Sequence, residues 1–354
     1  MRKEANMKKR VSRFVIAILV MSLVFGFVLT GNVGAQTKKP YNIEIYTFMV
    51  GTSTYAFGVA LAQFINEKSS WLKATAVEIP RPTVTARMMI EKPGMKEKMI
   101  GFISTEDVRI GYPPFDKYKP PYDGLKNIAA YGSVFNGVIT LDPNIKKMSD
   151  FSGKRIGLGL SPSAARVDLP TLAIKASGAK NVKFSEYSFT AGVRALKDGL
   201  IKGLLTGAFL RDPVSGKHVP NPAFSQVLST SKTYFVSFEK GTYDKYCIEQ
   251  GRRLSEYIVP PGGLGPAQTV PWRVAGGPIG WGGDKAIPND VVYEFTKIMA
   301  ENAHRFGDFH PSGKSITPER MAKYGFSAEY IHAGALRYYK EAGLSKYIGH
   351  RWME

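Results

Sequence analysis

One cysteine, Cys247, stands in 354 residues, so the chain forms no internal disulfide and must be held by its hydrophobic core. Its five histidines (His218, His304, His310, His332 and His350) show no H-E-x-x-H or comparable ligand spacing, which leaves a metal site without a sequence basis. Low-complexity tracts are absent, and 44% hydrophobic with 22% charged residues is the composition of a folded chain. Acidic residues are outnumbered by basic ones, 29 to 48, for a formal net charge of +19. No zinc-finger or RNP-type aromatic motif accompanies that charge, which is spread along the chain, so nucleic acid is not expected as a partner. A small anion drawn by the summed field, or a plainly solvated surface, accounts for it instead.

Long apolar runs are lacking too, apart from residues 14–30. Arg2, Lys3, Lys8, Lys9, Arg10 and Arg13 precede that run, and Val33-Gly34-Ala35 follows it. A basic segment, an apolar segment and small residues in that order predict an export signal, residues 1–35, cut before Gln36. The run is shorter than the ~18 residues that a membrane-spanning helix needs. The mature chain is thus expected in the periplasm, with about 319 residues and a net charge of about +14. That length exceeds what one core serves, and two domains are expected.

Residues 41–50 read as a strand rich in β-branched and aromatic side chains, broken by Gly51-Thr52-Ser53-Thr54, with Ser53 or Thr54 as the cap of the helix that follows. A strand at 75–79, a helix at 83–91 and a strand at 99–103 complete β-α-β-α-β, the pattern of a parallel sheet flanked by helices. A proline-rich loop, 112–122, precedes a strand at 129–141 on which the chain crosses near Phe135. The unit then repeats: strand 155–160, a helix over 163–177 that Pro170 must kink or delay, strand 182–186 and helix 191–198. After the Gly/Pro cluster at 260–266 come a strand at 272–281, a helix at 289–305 capped by Asn289 or Asp290, and a helix at 328–342 stopped by Gly343. The expected class is α/β with two lobes, 36–134 plus 270–354 and 135–269. Each lobe is a mostly parallel sheet flanked by helices, and two strands join them as a hinge.

Three strand-to-helix loops suit an anion, because unpaired backbone N–H groups, hydroxyls and a helix N-terminus converge there. They are Gly51, Thr52, Ser53, Thr54 and Tyr55; Arg81 with Thr83, Val84 and Thr85; and Ser161, Ser163, Ala164 and Arg166. Arg81, Arg87 and Arg166 offer carboxylates a two-pronged fork, and Arg166, placed in a first helical turn, calls for a negative partner, either Asp168 or a bound carboxylate. Enzyme motifs are incomplete. In Gly159-Leu160-Ser161-Pro162-Ser163 the last position of G-x-S-x-G is serine, and ahead of Gly313-Lys314-Ser315 the first P-loop glycine is replaced by Asp308. No catalytic residue and no cofactor is expected. The readings of a different class are a periplasmic hydrolase acting through Ser161 and a sensor that presents its ligand to a membrane protein.

Several segments then resemble one known family. They are Gly51 to Tyr55 with Gly58 and Ala60-Leu61-Ala62, the glycine-rich 151–159, Ala195-Leu196-Lys197-Asp198-Gly199, and 258–262, 291–297 and 332–343. In order and spacing they resemble the TAXI-type solute receptors of TRAP transporters. The resemblance implies a type II periplasmic-binding fold and a monomer that hands a small carboxylate to an ion-gradient-driven membrane permease. It adds Ser104, Thr105 and Glu106, and Thr206, Gly207 and Phe209, to the ligand-facing residues. Ser53-Thr54 and Pro82 to Thr85 stand where the family usually carries glycines, so an organic anion other than its usual amino acids is expected.

Overall fold

The computed structural model describes residues 38–48, 50–79, 88–89, 91–104, 124–160, 166–167, 169–212, 217–242, 245, 255–323 and 328–350. The first elements are β1 (Tyr41–Thr47), α1 (Ser53–Lys68), β2 (Leu72–Glu78), β3 (Met99–Ser104) and the long β4 (Leu125–Thr140). Next come β5 (Arg155–Leu158), α2 (Leu169–Ala176), β6 (Lys183–Glu186), α3 (Phe189–Lys197), β7 (Gly203–Asp212) and β8 (Lys217–Pro220). The remainder is α4 (Pro222–Thr230), β9 (Tyr234–Val236), β10 (Ser255–Val259), β11 (Trp272–Asp284), α5 (Asn289–Glu301) and α6 (Ala333–Glu341).

Phe57, Leu61, Phe64 and Ile65 recur at helical spacing in α1 and are all buried, which seats that helix on the sheet. Its far end is tied to β2 by the Asn66 side chain, which donates to the Ala74 carbonyl (2.9 Å) and accepts from the Ala74 N–H (3.0 Å). The strands form an 11-stranded sheet whose main path runs β2-β1-β3-β11-β4-β7-β5-β6. Two long strands span both halves of it, and the core divides along them. Ile128 to Tyr131 of β4 and Ile279 and Trp281 of β11 pack in one cluster with α1, α5 and α6. Phe135 and Ile139 of β4 and Trp272 and Val274 of β11 pack in another with α3 and α4. A further cluster, with Ile156 and Ile174, fills the opposite face of the second half. The fold is therefore α/β with two lobes, each a helix-flanked sheet, sharing β4 and β11.

Several element limits differ from the sequence expectation for local reasons. The cap of α1 is Thr52, whose side chain accepts from the Tyr55 N–H (3.2 Å), so Ser53 and Thr54 already belong to the helix. The described part of the helix that holds Pro170 is Leu169–Ala176, and residues 166 and 167 already lie in a π-helical turn. Neither Asn289 nor Asp290 caps α5; both lie inside it, after Pro288. The final helix begins at Ala333, because the His332 ring accepts from the Gly334 N–H (3.1 Å) and acts as its cap. Gly313, Lys314 and Ser315 lie in a short 3₁₀ turn, Pro311–Ser315, and not in a phosphate-binding loop.

Candidate functional site

Strand direction places the candidate site. β1 runs parallel to β2 and β3, and β11 is antiparallel to both β3 and β4, so β1 to β3 advance in the direction of β4. β7 is antiparallel to β4, and β5 and β6 follow β7, so these three run back the other way. The two sets therefore run toward each other along β4. β3 ends with Ser104 opposite Ile279, which lies opposite Gly132 of β4; from the other side Thr206 lies opposite Gly137 and Phe209 opposite Val134. Carboxyl ends of parallel strands are where open α/β sheets take ligands, and here both sets of ends face one boundary.

In the first half that boundary is formed by the turn into α1. Gly51 takes a φ of +84°, a conformation that side chains disfavour, and Thr52 closes the helix behind it. Ser53 and Thr54 are buried, 2% and 1% exposed. The Thr54 hydroxyl accepts from Tyr131 (3.1 Å), whereas the Ser53 hydroxyl has no hydrogen-bond partner and remains an unspent donor in the first helical turn.

In the second half the boundary is formed by Gly159, Arg166, the turn Tyr187-Ser188-Phe189 and Thr206. The Arg166 guanidinium lies 3.8 Å from the Phe189 ring centroid, a cation–π contact. It reaches that place across Gly159, where a Cβ would stand 3.0 Å from Nε and 3.3 Å from Cζ. Packing of this kind removes water, and desolvation lowers the Arg166 pKa to about 10, although part of the side chain's surface stays accessible. It is still charged at neutral pH. Ser188 caps α3 by accepting from the Ala191 N–H (3.4 Å), so Arg166 also faces a helix N-terminus. Thr206 is 2% exposed and Asn221 donates to its hydroxyl (3.3 Å) and to the Gly207 carbonyl (3.1 Å), while Asn221 itself caps α4.

Leu158, Arg166, Tyr187, Phe189 and Thr206 line a single crevice, too narrow in this state to admit a water molecule. A second groove, of about 860 Å³, runs along α3 to Asp198 and Gln226. It is open to solvent and its charges, Arg194, Lys197 and Asp198, are of both signs, so it does not converge on an anion.

Of the residues expected at the site, the structure thus brings Arg166 and Thr206 together, and places Gly51 to Tyr55 on the other side of the boundary. For Ser104, at the end of β3, and Phe209, within β7, the backbone is described. Arg81, Thr83, Val84, Thr85, Thr105, Glu106, Ser161, Ser163 and Ala164 lie outside the described residues, as do Arg87 and Asp168. Sequence reading missed Gly159, Tyr187, Ser188, Phe189 and Asn221. The signal for 187–189 was present, since it is a strand-to-helix turn of the same kind as the three singled out. Among the described residues no group of three or more His, Cys, Asp or Glu is placed to hold a metal ion, and no helix is long and apolar enough to cross a membrane.

Two α/β lobes whose strand ends converge on one boundary make the architecture of a two-lobe solute-binding protein. The chain belongs to the NMT1-like family, whose model matches residues 45–343. Solved structures similar to this chain include a protein from Archaeoglobus fulgidus (14% identity, 86% of this chain and 98% of that one, TM-score 0.45). Others are substrate-binding domain 2 of GlnP from Lactococcus lactis (14%, 79% and 96%, TM-score 0.40) and a TctC solute-binding protein from Polaromonas (14%, 79% and 90%, TM-score 0.44).

Proposed function

We propose that this chain is an extracytoplasmic receptor that captures one small organic anion, a carboxylate, between its lobes and delivers it to a TRAP-type, ion-gradient-driven permease. The observation that carries the reading is Arg166: a desolvated cation on an aromatic face, in the crevice where the strands of the second lobe end. A cation so placed gains from an anionic partner, and the fork of its in-plane donors matches a carboxylate. On the opposite side the first turn of α1 supplies backbone N–H groups and the unspent Ser53 hydroxyl.

The division of β4 and β11 between separate core clusters supports a hinge within those two strands, about which residues 36–134 with 270–354 close on 135–269. Export by a cleaved signal, residues 1–35, and function as a monomer belong to the same reading. So does the TAXI-type resemblance, with its ligand-facing loops at 83–85, 104–106 and 161–166.

A ligand that binds only the folded state raises its stability, by about 2.7 kcal/mol at a hundred times Kd. Thermal unfolding against a panel of carboxylates is expected to show at least one acid that raises Tm by several degrees, with neutral analogues inert. A panel in which no acid moves Tm would refute the reading.

A further inference from the structure

β5, β6 and β7 run parallel, so their amino ends meet at one end of the second lobe, and Leu158 and Tyr187, which line the Arg166 crevice, stand at the other. The amino end is cationic. Arg155 opens β5 beside Lys183, which opens β6, and the Lys202 N–H, just ahead of β7, donates to the Arg155 carbonyl (2.8 Å). The turns leading into these strands join them. The Lys183 N–H donates to the Lys154 carbonyl (3.0 Å), and the Gly153 N–H to the Lys180 carbonyl (2.9 Å). Lys146 and Lys147 are held at the same end, because their N–H groups donate to the Asp150 carboxylate (2.9 and 3.1 Å), and the Asp150 carbonyl accepts from the Lys154 ammonium (2.7 Å).

Lys146, Lys147, Arg155, Lys180, Lys183 and Lys202 are exposed, and none of the six forms an ion pair among the described residues. Of the carboxylates described at this end, Asp142 and Asp150 accept backbone N–H groups of their own turns, and Asp198, at the end of α3, adds one exposed negative charge. Cations outnumber them, so the field here is positive. Leu200, 65% exposed, stands two residues ahead of Lys202.

We infer that this end of the second lobe binds an anionic lipid surface. Lysines outnumber arginine five to one among the six exposed cations. Protein–protein contacts are depleted in lysine and enriched in arginine and aromatic residues, whereas clustered lysines suit the diffuse charge of anionic headgroups. An exposed leucine beside such cations adds the apolar contact that membrane-surface segments use. Because the crevice lies at the other end of the same strands, attachment to lipid and anion capture are independent of each other.

Co-sedimentation with phosphatidylcholine vesicles, with and without phosphatidylglycerol, tests the inference. The chain is used from Gln36 onward, because residues 1–35 carry basic residues of their own and every core cluster lies beyond residue 40. Binding is expected only with phosphatidylglycerol, and to fade as ionic strength rises from about 0.05 to about 0.5 M, because the screening length shortens. Each cation beside such a surface is worth about fivefold in partition, so Lys146→Gln, Lys147→Gln, Lys180→Gln and Lys183→Gln combined are expected to lose on the order of a hundredfold. Lys92→Gln, Lys98→Gln, Lys314→Gln and Lys340→Gln combined change net charge equally, on exposed lysines of the first lobe, and are expected to lose less than about threefold. Both variants are expected to keep the wild-type Tm, since all eight side chains are exposed. Absence of binding to phosphatidylglycerol vesicles, equal losses in the two variants, or retention on immobilised poly-glutamate in place of vesicles would overturn the inference.

Discussion

Arg166→Ala is expected to weaken carboxylate binding by on the order of a hundredfold or more while the ligand-free protein stays folded. Removing one partner of a desolvated charge pair costs about 2 to 5 kcal/mol, because the remaining charge is left without compensation. Without its ligand the wild-type guanidinium is already partly stripped of water, lying on Phe189 and across Gly159. Truncation therefore removes a desolvated cation as well as a stacking contact, and Tm without ligand is expected to change little. Arg166→Lys keeps the charge but neither the fork nor the flat stacking face, so it should restore only part of the affinity. Gly159→Ala probes the same geometry from the backbone side: its Cβ would press on the Arg166 Cβ, at 2.8 Å, and on Nε, at 3.0 Å, and displace the side chain, so it should weaken binding with Arg166 still present. Wild-type affinity in Arg166→Ala, measured by calorimetry, would remove the charge pairing from the account.

The second large effect is on stability in acid. His218 is buried between Phe135 and Tyr257, with ring centroids at 5.6 and 5.4 Å, and neither ring nitrogen has a hydrogen-bond partner. Burial lowers its pKa to about 4, and that of His332 likewise to about 4. Both are neutral in the folded chain near pH 6, whereas in the unfolded chain they titrate at the ordinary 6.5. Between those values the unfolded state holds more protons, so stability is full above about pH 6.5 and is lost as pH falls towards 4. At about 1.4 kcal/mol per unit, each histidine withdraws up to about 3 kcal/mol over that window. His310, also lowered by burial, adds in the same direction. Asp284, whose pKa burial raises, opposes them at the acid end. Urea unfolding from pH 7.5 to 4.5 is expected to show this fall, and His218→Phe to flatten it by about one proton's worth. An identical slope in wild type and variant would contradict the assignment.

What was legible in the sequence follows from how local each signal is. The strands and helices around Ile43, Phe57, Phe64, Ile156 and Val291 were readable because each carries its own apolar period, and the order β-α-β, twice, identified the class. Boundaries were less so where a side chain could act in more than one way. Thr52, Ser53 and Thr54 are all competent caps, and only the packing of Thr54 under Tyr131 decides for Thr52. His332 sits in an unbroken helical pattern, yet its ring ends one segment and starts the next.

For the site, Arg166 stood out because a cation in a first helical turn asks for a counter-charge. Its contact with the Phe189 ring is made across one helix and one strand, α2 and β6, that separate the two in sequence, and no local pattern announces it. The partnership of Asn221 with Thr206 and Gly207 was hidden for the same reason. Both arise where strands distant in sequence lie side by side in one sheet, a property of topology and not of any one segment.

Capture of a single small anion between the lobes is measured most directly by native mass spectrometry of the chain. The chain is incubated with an equimolar library of small carboxylates, other anions, neutral solutes and cations, then desalted and transferred intact. One carboxylate retained at a single copy per chain, and absent in Arg166→Ala, is the predicted result. Retention of a neutral solute or a cation instead, or of nothing from the library, would contradict it.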